Sequence, residues 1–149
     1  MNERFDCLKL ENQICFPLYA CSKEIIRRYK PFLDKVDLTY TQYITMMALW
    51  EHESMNVREL GRCVFLDSGT LTPVLKKLEN KGFLTRKRSA QDERNLNVTL
   101  TEAGWALREE AVKIPACMAG CVNLQQEEAM ELYRLLYKVM ENIQDNHEE

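Results

Sequence analysis

Residues 54–100 read SMNVRELGRCVFLDSGTLTPVLKKLENKGFLTRKRSAQDERNLNVTL. Two short helical patterns open this stretch and two strand patterns close it. Leu71, Val74, Leu75 and Leu78 recur three and four residues apart, so they share one face of a helix. Thr70, Thr72, Lys76, Lys77 and Asn80 fall on the other face. Asp67 or Ser68 caps the start, and Gly82 supplies a stop. The period then changes. Residues 83–88 and 96–100 suit two strands, the second alternating apolar and polar side chains. Between them, 89–95 is polar and charged. A helix-turn-helix followed by a hairpin with a charged tip is a winged helix, assigned here to 55–100.

Working outward, 8–30 reads as one long helix. Leu10, Ile14, Leu18, Cys21 and Ile25 form its apolar stripe, and Phe16, Tyr19, Ile26 and Tyr29 widen it. Pro17 is expected to kink this helix, and Pro31 to end it. Thr39 and Gln42 fit a capping box for the next helix, and Asn56 and Glu59 fit a second. On the far side of the wing, Thr101 caps a helix to about Ile114, and Pro115 marks a break. Residues 124–143 form the last helix, with Met130, Tyr133, Tyr137 and Met140 on one seam and an acidic tail expected to fray. The fold class is mainly α with a small β-hairpin, a single domain over 1–149. The terminal segments 8–30 and 101–143 carry more apolar surface than one small winged helix needs. A two-fold assembly of two chains would bury it.

Charge distribution says more than charge. The chain carries −3 overall, yet 58–94 holds nine Lys/Arg against five Asp/Glu. A basic module on an acidic body suits a polyanion. Ser68, Thr70, Thr72, Lys76 and Lys77 are the candidates on the second helix, which enters the major groove in a helix-turn-helix. Arg86 and Arg88 lie on the wing, and Arg94 at its tip suits the minor groove, with Asp92 expected to aim it through an ion pair. The partner expected is double-stranded DNA.

No stretch is long and apolar enough to span a membrane. The opening MNERFDCLKLENQ lacks an apolar signal core, which points to the cytoplasm. Six cysteines stand at 7, 15, 21, 63, 117 and 121, with no CxxC and only His52 and His147 as imidazoles. That spacing fits neither a zinc finger nor an iron–sulfur run, so no metal or cofactor is expected, and reduced thiols are the default.

Two sets of residues carry a resemblance. Leu66-Asp67-Ser68-Gly69-Thr70-Leu71-Thr72-Pro73, Asp92-Glu93-Arg94 and Leu100-Thr101-Glu102-Ala103-Gly104 resemble the MarR family of winged-helix regulators. Leu10-Glu11-Asn12-Gln13-Ile14-Cys15-Phe16, Tyr19-Ala20, Tyr29-Lys30-Pro31, Leu38-Thr39-Tyr40-Thr41-Gln42-Tyr43 and Leu49-Trp50-Glu51-His52 resemble its organic-hydroperoxide-sensing repressors, the OhrR branch. The resemblance covers almost the whole chain. It implies a homodimer that binds pseudopalindromic operator DNA when reduced and leaves it when an early cysteine is oxidised by organic hydroperoxide. Cys15 matches that cysteine, Tyr29 and Tyr40 match tyrosines that hydrogen-bond it, and Tyr19 matches a supporting one. Some relatives resolve the sulfenic acid with a C-terminal cysteine, for which Cys117 and Cys121 are the candidates. Cys7, Cys21 and Cys63 have no assigned role. Two other readings stand beside this one: a MarR-type regulator of a phenolic or amphipathic ligand, and a thiol peroxidase-like enzyme. The latter lacks a histidine placed to pair with Cys15.

Overall fold

The computed structural model describes residues 3–92 and 94–145. The chain forms two compact units, Met1–Pro115 and Ala116–Glu149. In the first, α1 (Cys15–Leu33) and α2 (Tyr40–His52) precede a short strand β1 (Ser54–Asn56). Then come α3 (Val57–Val64), α4 (Ser68–Asn80), β2 (Leu84–Arg88), β3 (Leu96–Leu100) and α5 (Glu102–Ala111). Helix α6 (Ile114–Val122) runs into the second unit, whose main element is α7 (Gln126–Asp145). The expected class holds: mostly helical, with a winged helix-turn-helix at the centre. Among the described residues no helix is long and apolar enough to cross a membrane. The acidic tail expected to fray lies, from residue 146, outside the described residues.

The front of the chain differs from expectation. Residues 3–12 form two 3-10 turns, Glu3–Leu8 and Leu10–Asn12, and the long helix begins only at Cys15. Polar side chains compete with the helix there. Asn12 Nδ2 donates to the Asp6 carbonyl at 2.8 Å, and Gln13 Nε2 donates to the carbonyl of Cys7. Pro17 therefore makes no kink. It sits in the first turn of α1, where a backbone N–H has no intrahelical acceptor to lose. Nor does Pro31 end the helix, which continues to Leu33. The region after Ala111 also differs. The helix expected to reach Ile114 ends at Ala111, and the break expected near Pro115 is present, with Pro115 in the first turn of a separate helix, α6.

The helix starts obey local chemistry. Thr39 Oγ1 accepts the Gln42 N–H at 3.4 Å, and Gln42 Oε1 accepts the Thr39 N–H at 3.1 Å, which is the expected capping box. Asn56 Oδ1 accepts the Glu59 N–H at 2.8 Å and starts α3. Helix α4 stops in a Schellman motif. The Phe83 N–H reaches the Leu78 carbonyl at 3.1 Å and the Gly82 N–H that of Glu79 at 2.9 Å. Gly82 adopts a φ of 79°, which only glycine reaches without strain.

Strand β1 was not expected from the sequence. It pairs Ser54, Met55 and Asn56 with Thr99, Val98 and Asn97, making a three-stranded antiparallel sheet in the order β1-β3-β2. Three residues are too few to show an alternating pattern. The core of this unit gathers Leu33, Tyr43, Met46, Leu49, Leu60, Leu71, Leu75, Leu78, Leu84 and Val98, all at most 3% exposed. Trp50 ties α2 to α5 by donating its Nε1–H to the Gly104 carbonyl at 2.9 Å. A Cβ on Gly104 would stand 2.0 Å from the Phe83 carbonyl oxygen, so α5 can meet the base of the wing only through glycine.

Candidate functional site

Two sets of residues matter, a basic reading surface and a group of thiols and phenols. On the first, Asp67 caps α4. Its carboxylate accepts the Thr70 N–H at 2.9 Å and the Thr70 hydroxyl at 3.2 Å. These bonds hold the Asp67 carboxyl below the usual carboxylate range, the Thr70 N–H first among them. Ser68, Thr70, Thr72 and Lys76 are exposed on α4, opposite the buried Leu71, Val74, Leu75 and Leu78. Lys77 lies toward the end of α4. It is also exposed, but borders an open cavity of about 650 Å³ lined with Asp34, Asp37, Thr39, Gln42 and Lys81 as well. Across this cavity Lys81 Nζ pairs with Asp37 Oδ2 at 3.1 Å, fixing the end of α4 to the turn between α1 and α2.

The wing departs from expectation twice. Arg86 was grouped with the DNA contacts, but its guanidinium is engaged by Glu79. Nη2 and Nε donate to Glu79 Oε2 at 2.8 and 3.1 Å, and the Arg86 N–H donates to Oε1 at 3.0 Å. The clamp holds the Glu79 carboxyl below its ordinary range, chiefly through the guanidinium hydrogen bonds. It fastens β2 to α4. The expected Asp92–Arg94 ion pair does not form among the described residues either. Asp92 Oδ1 instead accepts the Arg94 backbone N–H at 3.0 Å, and Oδ2 accepts Asn95 Nδ2 at 3.2 Å. An Asp readily closes a turn on the backbone two residues ahead. Asp92 thus shapes the tip, and the Arg94 side chain extends from it exposed. Arg88 is exposed on β2.

Cys15 lies in the first turn of α1, exposed, and all six cysteines are free thiols. The phenols gather at the other end of the same helix. The Tyr29 ring lies 5.0 Å from that of Tyr40 and 5.8 Å from that of Tyr43. Burial raises all three phenols above their ordinary range, and neighbouring phenols add to this at Tyr29 and Tyr43. They remain protonated donors well past neutral pH. Tyr43 was not singled out from the sequence. Its signal was its place one helical turn beyond Tyr40. Tyr19 is exposed, and its hydroxyl accepts Lys23 Nζ at 3.2 Å.

The expected set of Cys15, Tyr29 and Tyr40 is therefore not assembled in one chain. Cys15 and Tyr29 are fourteen residues apart on one continuous helix, about 21 Å at 1.5 Å per residue. No side chain spans that gap. Cys117 and Cys121 are both exposed on α6, one turn apart on one face, so Gly120 does not interrupt the helix between them. Among the described residues, no three His, Cys, Asp or Glu side chains gather as a metal site.

A basic, capped reading helix braced by a wing defines a winged-helix DNA-binding protein. Comparison places it more narrowly. Residues 27–110 match the family model for the transcriptional regulators SarA/Rot. The chain is 48% identical over 143 residues to the organic hydroperoxide resistance transcriptional regulator of Bacillus subtilis (strain 168), covering 96% of this chain and 97% of that one. Reduced AbfR bound to DNA superposes with a TM-score of 0.77 at 31% identity, over 96% of this chain and 99% of AbfR. AbfR with its disulfide formed gives a TM-score of 0.61 at 30% identity, over 99% of each chain. The chain belongs to the MarR family, in its branch of redox-sensing transcriptional regulators.

Proposed function

We propose that this chain is a homodimeric repressor that holds pseudopalindromic operator DNA while Cys15 is reduced and releases it once organic hydroperoxide oxidises Cys15. The observation that carries the reading is the separation of Cys15 from the phenol cluster along α1. In a two-fold dimer, two copies of α1 packed antiparallel exchange ends. Cys15 of one protomer then meets the partner's Tyr29 and the partner's Tyr40, and the sensor is complete only in the assembly. The exposed Phe16, Leu18, Tyr19 and Ile26 give α1 the apolar surface for such a pairing. The assignment of 8–30 and 101–143 to dimerisation rests on the same surplus, and that of 55–100 to reading DNA on the exposed Ser68, Thr70, Thr72, Lys76, Arg88 and Arg94. Kinship with the B. subtilis regulator supports organic hydroperoxide as the signal. AbfR, solved reduced on DNA, overoxidized on DNA and with its disulfide formed, supports a thiol that changes state, and points to a disulfide rather than overoxidation as the releasing product. The cytoplasm, where thiols stay reduced, suits this chemistry.

The chemistry balances without a cofactor. The Cys15 thiolate attacks the outer peroxide oxygen and the O–O bond breaks. The product is a sulfenic acid plus an alkoxide that takes up a proton as alcohol. Phenol O–H groups held protonated by burial donate to the thiolate before attack and to the departing oxygen during it. Cys117 or Cys121 then condenses with the sulfenic acid, releasing water and leaving a disulfide. Either product changes the packing of α1. The two reading helices must stay about 34–36 Å apart to meet successive major grooves, so a small rotation loses both contacts.

The test is operator binding by fluorescence anisotropy before and after cumene hydroperoxide, with peptide mapping of the cysteines. Cys15→Ser is expected to bind operator and to stay bound after peroxide. Release of the folded Cys15→Ser protein by peroxide, with another thiol modified, would overturn the assignment. Release by small phenols with no thiol change would favour the ligand-responsive reading instead.

A further inference from the structure

Cys117 and Cys121 have a geometry that a disulfide between them does not use. Both are exposed on one face of α6, one turn apart. Helical neighbours at this spacing place their Cβ atoms about 5–6 Å apart. A disulfide needs Cβ atoms about 3.5–4.5 Å apart, so closing one here would distort the helix. A single atom bridging the sulfurs tolerates a wider separation than a direct S–S bond. At the length of a zinc–thiolate bond, about 2.3 Å, two such bonds set in line would span about 4.6 Å between sulfurs, more than twice a direct S–S bond.

We infer that Cys117 and Cys121 form a two-thiolate site for a soft, two-coordinate cation, with Cu(I) as its chemical type. Coordination number decides between metals. Zinc in a structural site takes four ligands, and among the described residues no group of three or more His, Cys, Asp or Glu is available. A two-thiol site saturates a linear ion, and thiolates select Cu(I) by softness. Binding replaces two S–H bonds by two Cu–S bonds and releases both protons to solvent, with no change in oxidation state. The site depends on α6 alone and does not rest on Cys15 as a peroxide sensor.

The experiment is anaerobic titration of the full-length protein with Cu(I) held by bathocuproine disulfonate. Transfer is read as loss of the chelate's visible absorbance, and intact mass gives the stoichiometry. The parent protein and Cys21→Ser are expected to withdraw one tight equivalent per chain, while Cys117→Ser and Cys121→Ser each lose it. A register variant, Cys121→Ser with Val122→Cys, keeps the thiol count but turns one sulfur off the shared face, and is expected to lose it too. Circular dichroism checks that each variant is folded. Unchanged withdrawal by the Cys117→Ser/Cys121→Ser double variant, or by the folded register variant, would overturn the site.

Discussion

The reading lobe and the terminal helices are built to opposite standards. In α3, α4 and the wing, Leu60, Leu71, Leu75, Leu78, Leu84 and Val98 are no more than 1% exposed. The caps are satisfied and the hairpin is pinned by the Glu79–Arg86 clamp. On α7, Met130 is 65% exposed, Tyr133 62% and Ile143 54%, with the Tyr133 and Tyr137 rings tilted against each other, centroids 4.5 Å apart, on an exposed face. α1 buries only Leu33. One region is finished within a single chain, and the other leaves apolar faces exposed that the proposed pairing with a second copy would bury. The proposed sensor belongs to the unfinished region. A signal that loosens an intermolecular seam can move rigid reading heads without unfolding them.

The largest expected effect attacks the finished region. Gly104→Ala places a methyl against the Phe83 carbonyl oxygen and pushes α5 from the wing base, where Trp50 also bonds. Backbone is less able to yield than a side chain. Loss of about 3 kcal/mol is expected in urea unfolding, at the upper end for overpacking. A change under about 0.5 kcal/mol, the usual range for uninvolved positions, would mean the junction is looser than the geometry says.

Next in size is an attack on the unfinished region. Met130→Glu with Tyr133→Glu leaves the lobe untouched and puts charge on the exposed face of α7. Sedimentation equilibrium is expected to show a folded monomer at micromolar concentration, with operator affinity lost. A stable dimer with unchanged affinity would remove α7 from the assembly and break the comparison at its base.

A smaller effect sharpens what rigidity in the lobe means. Glu79→Gln keeps the shape of the side chain but loses the charge that grips Arg86. The wing should pivot, weakening operator binding severalfold with the melting temperature little changed. The same clamp predicts a pH response. Because the Glu79 carboxyl is held below its ordinary value, its contribution is present above that value and is lost as pH falls through the lowered one. Acidification should cost the parent protein operator affinity in that window, and Glu79→Gln should show less of this loss. Identical pH profiles would assign the acid sensitivity elsewhere, for instance to the Asp67 cap.

How much of this was legible in the sequence follows the same division. The α4 stripe, the capping box at Thr39 and the Gly82 stop are local signals, and the structure keeps each one. Strand β1 was hidden because a three-residue strand exists only through its pairing with β3. The start of α1 was misread because its apolar spacing continues upstream, while Asn12 and Gln13 divert the backbone into 3-10 turns. Arg86 looked like a DNA contact because composition does not reveal a partner seven residues earlier on another element. The separation of Cys15 from Tyr29 was available as arithmetic once one continuous helix was granted. Pro17, read as a kink, obscured that continuity.

The smallest effect separates two adjacent lysines. Lys76 and Lys77 are both exposed on α4, but only Lys77 borders the cavity that Asp34 and Asp37 also line. A phosphate contact contributes through counterion release, so removing one lowers the slope of log affinity against log salt by about one. Lys76→Ala is expected to do this, with weaker binding across operator sequences. Lys77→Ala is expected to change the slope by less, because Lys77 borders the cavity lined by the carboxylates of Asp34 and Asp37. Fluorescence anisotropy at several salt concentrations measures both slopes in one series. Equal loss for the two variants would mean that Lys77 reaches DNA as Lys76 does. The turn between α1 and α2 would then be part of the reading surface, and the line between finished and unfinished regions would have to be redrawn through α4.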